Sequence, residues 1–153
     1  MKITFVCTGN TCRSPMLQAM FADYARKVGF ECETDSAGMC GGGSPFNPKT
    51  VNVLAARGIK AEGESKLFDD RLAAESDYVF TMSESQRDDL KRRYPALCVE
   101  CLSALCGHEI DDPYGKGQED YDATGELFED LLAPVLEFVE AAEKKKTSPD
   151  KKD

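Results

Sequence analysis

The feature that most constrains the fold is a short apolar segment followed by a loop and then by the start of a helix. Residues 2–6 (KITFV) predict a buried strand, and Ser14 and Pro15 supply an N-cap residue and a proline at the first helical position. Apolar residues then recur at helical spacing until Gly29 ends the helix, and residues 31–35 predict a second strand. A strand, a helix and a strand in this order predict a parallel sheet.

The remaining sequence continues this alternation over a length that suits one domain. We predict an α/β fold, a three-layer doubly wound sheet of four parallel strands with helices on both faces and the active loop after the first strand. Residues 1–145 are expected to form this domain, and residues 146–153 a disordered tail. Ser83 and Gln86 predict a capping box. The other predicted strands are 78–82 and 97–102, and the other predicted helices are 48–57, 69–75, 83–93 and 119–145, the last kinked at Pro134.

Charge and composition narrow the possible partners. The formal net charge of -9 argues against the binding of nucleic acid through general electrostatics. No apolar run approaches the ~20 residues that span a bilayer, and the first apolar stretch is too short for a signal peptide, so we expect no membrane partner. Seven cysteines are an odd number, which favours reduced thiols and a cytoplasmic location. We expect a monomer or a weak dimer.

The chemistry of the chain is concentrated in the segment CTGNTCRS, residues 7–14. This segment follows the first strand, at the edge of the sheet where parallel α/β proteins bind their ligands. A loop that enters a helix presents unpaired N–H groups to an anion, and Gly9 lets the backbone curl. We therefore expect the loop to bind phosphate or another tetrahedral oxyanion. The predicted phosphate-binding loop consists of Thr8, Gly9, Asn10, Thr11, Cys12, Arg13 and Ser14.

Cys7 is the predicted nucleophile of this loop. It would lie at the floor, where the backbone amides and the planar guanidinium of Arg13 favour its thiolate form and place it in line with a bound phosphoryl group. Asp112 is the predicted general acid, because it follows the fourth strand on the same edge of the sheet. The sequence has one histidine, His108, which disfavours a cysteine–histidine protease, and no Walker A motif, so phosphate is expected as a reacting group.

Three motifs together resemble those of the low-molecular-weight protein tyrosine phosphatase family. They are V-C-x-G-N-x-C-R-S at residues 6–14, D-S-A-G at residues 35–38 and D-P-Y at residues 112–114. Their order and separations also fit the family, over about residues 2–142. The resemblance implies a phosphorylated protein as the substrate and a two-step hydrolysis without a cofactor or a metal. It also implies a four-stranded parallel sheet.

The same resemblance implies catalytic and supporting roles. Cys7 would become the phosphocysteine, the arginine of the loop would bind phosphate, and the aspartate of D-P-Y would protonate the leaving group and later activate water. Asn10 and Ser36 resemble a hydrogen-bonded pair that holds the strained loop, and Ser14 resembles the hydroxyl that steadies the thiolate. Cys12 resembles the neighbour that forms a reversible disulfide with Cys7 on oxidation. The alternative is that Cys12 is a small buried residue that never pairs.

The substrate pocket is where the sequence departs from the family pattern. Many relatives carry an aromatic residue soon after S-A-G, whereas Met39, Cys40 and three glycines follow here. Phe46 is the candidate to replace that aromatic wall. Relatives often have two tyrosines after Asp-Pro, whereas Tyr114 is followed by glycine. The predicted pocket consists of Thr11, Met39, Cys40, Phe46 and Tyr114.

Thr11 bears on the choice of substrate. Many tyrosine phosphatases of this family have a bulky aliphatic residue here, which packs on the phenol ring. A threonine resembles the bacterial subgroup that removes phosphate from phosphoarginine, and a hydroxyl can bind a guanidinium group. The methyl group of Thr11 can also simply fill the space. Phosphotyrosine is the first prediction and phosphoarginine the alternative.

Two other functions use the remaining cysteines. A thiol-dependent arsenate reductase has the same fold and would need Cys98, Cys101 and Cys106 to relay a disulfide, but its relatives tend to lack the tyrosine found at Tyr114. With His108, the same cysteines also offer four zinc ligands. Cys98 and Cys101 would face opposite sides of a regular strand, so inert cysteines and no metal site are predicted.

Overall fold

The structure is a computed structural model that describes residues 1–61 and 63–147. Within these residues, four strands form one parallel sheet in the spatial order β2-β1-β3-β4. The predicted α/β fold with four parallel strands is therefore confirmed. In chain order the elements are β1 (Lys2–Cys7), α1 (Arg13–Val28), β2 (Glu33–Gly38), α2 (Pro48–Ala55), α3 (Asp70–Glu75), β3 (Tyr78–Thr81), α4 (Glu84–Arg93), β4 (Val99–Cys101), α5 (Ser103–Cys106) and α6 (Gln118–Thr147).

The central strand β1 is buried on both faces, as expected for a parallel strand that helices cover. Its side chains alternate between two apolar clusters. Phe5 belongs to the larger cluster, with α1 and α6, and its ring stacks on that of Phe80 at a centroid distance of 5.8 Å. Val6 belongs to the smaller cluster, with Phe68 and Leu90, on the side of α3 and α4. The sheet therefore lies between two layers of helices.

The helices α2 and α6 approach closely at Gly125. A Cβ atom at this position would lie 2.6 Å from Cγ1 of Val53, so the separation requires glycine. Near this contact, Nε2 of Gln118 donates to the carbonyl oxygen of Lys49 at 3.0 Å. The first turn of α2 is thus attached to the first residue of α6.

Two predicted helix starts are confirmed by their caps. The side chain of Asn47 accepts a hydrogen bond from the N–H of Lys49, ahead of Pro48 at the first position of α2. Ser83 and Gln86 form the predicted capping box at the start of α4. Side-chain oxygens of this kind satisfy N–H groups that a helix cannot satisfy internally.

The predicted start of the first helix is wrong. Helix α1 begins at Arg13, and Cys12 occupies the N-cap position without a side-chain hydrogen bond to the helix. Ser14 therefore lies inside the helix. Its hydroxyl is occupied by contacts within the loop before α1, which are described below, and so it is not available as a cap.

Other boundaries differ where pairing or packing overrides the local signal. Strand β2 continues to Gly38, because its last three residues pair with the end of β1. Helix α5 was not predicted, and it is only one turn long. Helix α6 runs through Pro134 as far as Thr147, so residues 146–147 of the predicted tail are helical. Residues 148–153 of that tail lie outside the described residues.

No helix in residues 1–61 and 63–147 combines the length and the apolar character that crossing a bilayer requires.

Candidate active site

The loop between β1 and α1 surrounds the sulfur atom of Cys7. This thiol is 3% exposed and lies at the carboxyl end of β1. The backbone N–H of Asn10 donates to Cys7 Sγ at 3.2 Å, and the hydroxyl of Ser14 lies 2.9 Å from the same atom. The loop thus holds the sulfur atom in place through two polar contacts.

Asn10 carries the strained backbone of the loop. Its φ of 56° lies in the left-handed region, which asparagine tolerates better than most residues. Its Nδ2 donates to Ser14 Oγ at 2.8 Å, and its Oδ1 accepts the N–H of Lys66 at 3.0 Å. The predicted hydrogen bond between Asn10 and Ser36 is not found in the part of the chain that the structure describes, where the amide of Asn10 bonds Ser14 and Lys66 instead.

The prediction that Gly9 lets the backbone of this loop curl is wrong. Gly9 is not among the glycines with positive φ, and a Cβ atom there would meet only Thr11 Oγ1, at 3.9 Å. Beside the loop, the glycine that has no room for a side chain is Gly38. A Cβ atom there would lie 2.9 Å from the carbonyl oxygen of Thr8 and 3.0 Å from that of Cys40. The end of β2 therefore lies directly against the loop.

Arg13 connects the loop to the segment that carries the predicted acid. Its side chain is buried, and Nη1 donates to the carbonyl oxygen of Ile110 at 3.0 Å. Nη2 lies 3.5 Å from Asp112 Oδ2, and that carboxylate is about half exposed. The N–H of Tyr114 donates to the other oxygen of Asp112 at 3.1 Å. The planar guanidinium is thereby oriented by one neutral and one charged partner.

One cavity of about 530 Å³ contains the three predicted catalytic side chains. Of the predicted pocket residues, Thr11, Cys40, Phe46 and Tyr114 line it. The assignment of Met39 is wrong, because its side chain packs against the smaller apolar cluster. The cavity is lined by Cys7, Thr8, Gly9, Thr11, Cys12, Arg13, Cys40, Gly41, Gly42, Ser44, Pro45, Phe46, Asn47, Pro48, Ser65, Asp112 and Tyr114.

Tyr121 and Gln86 are among the residues that contact the loop although the sequence did not indicate it. Tyr121 of α6 is fully buried, and its hydroxyl oxygen lies 3.2 Å from Cys12 Sγ. Burial, together with the hydrogen bond to Cys12, raises the pKa of Tyr121 above its ordinary value. Gln86 of α4 donates from Nε2 to Thr8 Oγ1 at 3.1 Å. Both lie far from the loop in sequence, and no local pattern points from them to it.

The remaining cysteines lie apart from this cavity. Cys101 Sγ lies 2.9 Å from Ser103 Oγ, and Cys106 donates to the carbonyl oxygen of His108 at 3.1 Å. In the part of the chain that the structure describes, no three His, Cys, Asp or Glu side chains are placed to hold a metal ion together. The alternative set of zinc ligands is therefore not brought together in these residues, and Cys98, Cys101 and Cys106 are not among the residues that line the cavity of Cys7.

A thiol held between the end of the first strand and the start of the following helix, in a doubly wound parallel sheet, is the arrangement of a cysteine-dependent phosphatase. Comparison with known families agrees with this class. The model of the low molecular weight phosphotyrosine protein phosphatase family matches residues 2–147, and the chain belongs to this family. It is therefore a hydrolase of the protein phosphatase class, as the sequence predicted.

Relatives in the family differ in the substrate that their names state. The chain is 33% identical to a low molecular weight protein-tyrosine-phosphatase of Streptomyces coelicolor, over 91% of this chain and 96% of that protein. It is 30% identical to a protein-arginine-phosphatase of Bacillus subtilis, over 86% and 93%. A solved structure of the YwlE arginine phosphatase, a cysteine-to-serine mutant with a phosphorylated active-site serine, matches with a TM-score of 0.81 and 28% identity, over 98% and 99%.

Proposed function

We propose that the protein hydrolyses phosphotyrosine in proteins through a phosphocysteine intermediate on Cys7. The observation that carries the proposal is the environment of the thiol. The N–H of Asn10 donates to Cys7 Sγ at 3.2 Å, and the hydroxyl oxygen of Ser14 lies 2.9 Å from the same atom, at the floor of the cavity. These contacts hold the sulfur atom in place as the nucleophile that the first step requires.

In the first step, Cys7 Sγ attacks phosphorus and the bond from phosphorus to the tyrosine oxygen breaks. Asp112 donates a proton to the leaving phenolate, and Arg13 binds the phosphoryl oxygens with the N–H groups of the loop. In the second step, the Asp112 carboxylate takes a proton from water, which attacks phosphorus and breaks the bond to sulfur. Inorganic phosphate leaves, and the thiolate is restored.

A second candidate substrate is phosphoarginine in proteins. Thr11 lines the cavity, and its hydroxyl is next to Cys12 Sγ, at 3.6 Å. Further hydroxyl groups, from Ser44 and Ser65, line the same cavity. Hydroxyl oxygens can accept hydrogen bonds from a guanidinium group, and the relative from B. subtilis is named a protein-arginine-phosphatase.

The test compares kcat/KM for matched phosphotyrosine and phosphoarginine peptides, in the wild type and in Thr11→Ile. We expect the wild type to prefer phosphotyrosine and Thr11→Ile to increase that preference, because an aliphatic side chain packs better on the ring. A wild type that prefers phosphoarginine would replace the first substrate with the second. If the ratio is the same in both proteins, Thr11 does not select the substrate.

Cys7→Ser is the control for the mechanism. It should abolish the hydrolysis of p-nitrophenyl phosphate and of both peptides, while the Tm of the protein stays that of the wild type. Activity that survives in Cys7→Ser would disprove the phosphocysteine mechanism, whatever the substrate.

We further propose the remaining properties that the sequence suggested. Cys12 forms a reversible disulfide with Cys7 on oxidation, and the support for this is that both thiols belong to one loop and line one cavity. The protein acts in the cytoplasm, a proposal supported by its seven cysteines, which a reducing compartment keeps as thiols. Its proposed oligomeric state is a monomer or a weak dimer. Mass determination of peptides after peroxide treatment, with and without dithiothreitol, tests the disulfide.

A further inference from the structure

The segment that carries Asp112 has little packing of its own. In residues 111–117 only Pro113 is buried, and the other side chains are exposed. Two of the seven residues are glycines, and Gly115 adopts a left-handed φ of 81°. A segment with so few buried contacts does not hold a carboxylate in one place by itself. Its position depends on hydrogen bonds from outside.

Two cations supply these bonds at the two ends of the segment. At the start, the buried Arg13 donates to the carbonyl oxygen of Ile110. At the end, Lys49 Nζ donates to the carbonyl oxygen of Lys116 at 2.9 Å. The N–H of Lys116 in turn donates to the carbonyl oxygen of Pro113 at 2.9 Å, which closes a turn directly after the acid. Lys49 is therefore attached to the turn that directly follows Asp112.

Lys49 is itself fixed relative to the nucleophile loop. It belongs to the first turn of α2, which is bonded to that loop twice. The N–H of Asn47 donates to the carbonyl oxygen of Thr11 at 2.9 Å, and Thr50 Oγ1 donates to that of Cys12 at 3.2 Å. The ammonium group of Lys49 also lies 5.6 Å from the ring centre of Tyr121. One helix turn thus contacts the nucleophile loop on one side and the acid segment on the other.

We propose that Lys49 is a positioning residue for the general acid: its ammonium group holds the segment of Asp112 at a fixed distance from Cys7. The proposal rests on the proposed function, in which Asp112 protonates the leaving group. An acid displaced by ~1 Å loses much of its effect, and general acid catalysis as a whole contributes ~100-fold or more. Lys49 touches no reacting atom, so its effect passes through Asp112.

The experiment compares kcat and KM for phenyl phosphate, which has a poor leaving group, with those for p-nitrophenyl phosphate, which has a good one. In Lys49→Met we expect kcat/KM, which reports the step in which the leaving group departs, to fall ~10-fold more for phenyl phosphate than for p-nitrophenyl phosphate. Lys49→Arg should restore the ratio, because a guanidinium can donate to the same carbonyl. Lys91→Met on α4 is the matched control and should leave the kinetic constants for both substrates unchanged.

A double-mutant cycle separates positioning from a general structural defect. In an Asp112→Ala background, Lys49→Met should no longer change the ratio between the two substrates. The proposal is overturned if Lys49→Met lowers kcat/KM equally for both substrates, or if its selective effect on phenyl phosphate persists without Asp112. Lys49→Gln, which is too short to reach the carbonyl, provides a second variant should Lys49→Met unfold.

The same experiment distinguishes failure of this proposal from failure of the function on which it rests. If Asp112→Ala lowers kcat/KM equally for both substrates, Asp112 is not the general acid, and the proposed role of Lys49 is overturned with it. If Asp112→Ala is selective for the poor leaving group and Lys49→Met is not, the mechanism stands and only the role of Lys49 is overturned.

Discussion

Replacing Gly38 by alanine tests how closely the second strand supports the active loop. A Cβ atom at this position would lie 2.9 Å from the carbonyl oxygen of Thr8, 3.0 Å from that of Cys40 and 3.1 Å from the backbone nitrogen of Asn10. All three neighbours are backbone atoms, so no side chain can rotate away. Because ordinary contact begins at about 3.4 Å, the loop would have to retreat by several tenths of an ångström.

The size of the effect follows from that displacement. Overpacking against a rigid neighbour costs about 1–3 kcal/mol of stability, which lowers Tm by roughly 3–10 °C in a domain of this size. A shift of the loop by about half an ångström also misplaces the N–H groups that bind phosphate. Since a 1 Å misplacement can cost ~100-fold in rate, we expect Gly38→Ala to lower kcat/KM for p-nitrophenyl phosphate ~10-fold or more.

Gly9→Ala is the matched control within the same loop. The added methyl group would meet only Thr11 Oγ1, at 3.9 Å, and the backbone of Gly9 does not require a left-handed φ. We expect Gly9→Ala to retain Tm within ~2 °C of the wild type. An equal fall in Tm in the two variants, or a Gly38→Ala protein with the kcat/KM of the wild type, would show that the contact at Gly38 does not fix the position of the loop.

Two further predictions concern α6. Tyr121→Phe removes the hydroxyl bonded to Cys12 and should cost about 1 kcal/mol. Because the pKa of Tyr121 is raised in the folded state, the free energy of unfolding of the wild type should fall as pH rises above the ordinary tyrosine pKa of 10.0, and it should fall more steeply than that of Tyr121→Phe. Urea unfolding at several pH values measures both, and an equal dependence on pH in the two proteins would contradict this prediction. Gly125→Ala should lower Tm through the 2.6 Å approach to Val53, whereas Gly117→Ala, with nothing within 4 Å, should not; thermal unfolding measures both.

Much of the fold was predictable because its signals are local. The apolar run of β1, the proline after Asn47 and the pair Ser83 and Gln86 each specify their own segment without reference to distant residues. Alternation of such segments implies a parallel sheet, which brings the loop after β1 and the loop after β4 to the same edge. Cys7 and Asp112 could therefore be assigned to one cavity, and the structure places them there.

The errors arose where a residue's partner is distant in the chain. The hydroxyl of Ser14 was read as a helix cap, yet it is bound by Asn10 and lies against Cys7. Met39 follows the glycine of the D-S-A-G motif, but its side chain packs against the smaller apolar cluster and does not line the cavity. Each of these outcomes depends on which neighbour the folded chain brings within reach, and sequence spacing carries no such information.

By itself, the sequence determined the fold class, the family and the chemical groups of the site, because strand and helix periods and a short reactive motif are encoded in adjacent residues. Only the tertiary structure decided which glycine the loop cannot lose, what holds Asn10 in its left-handed conformation, and that Lys49 joins the acid segment to the nucleophile loop. Those facts are distances between segments dozens of residues apart. They exist only once the sheet and helices have packed.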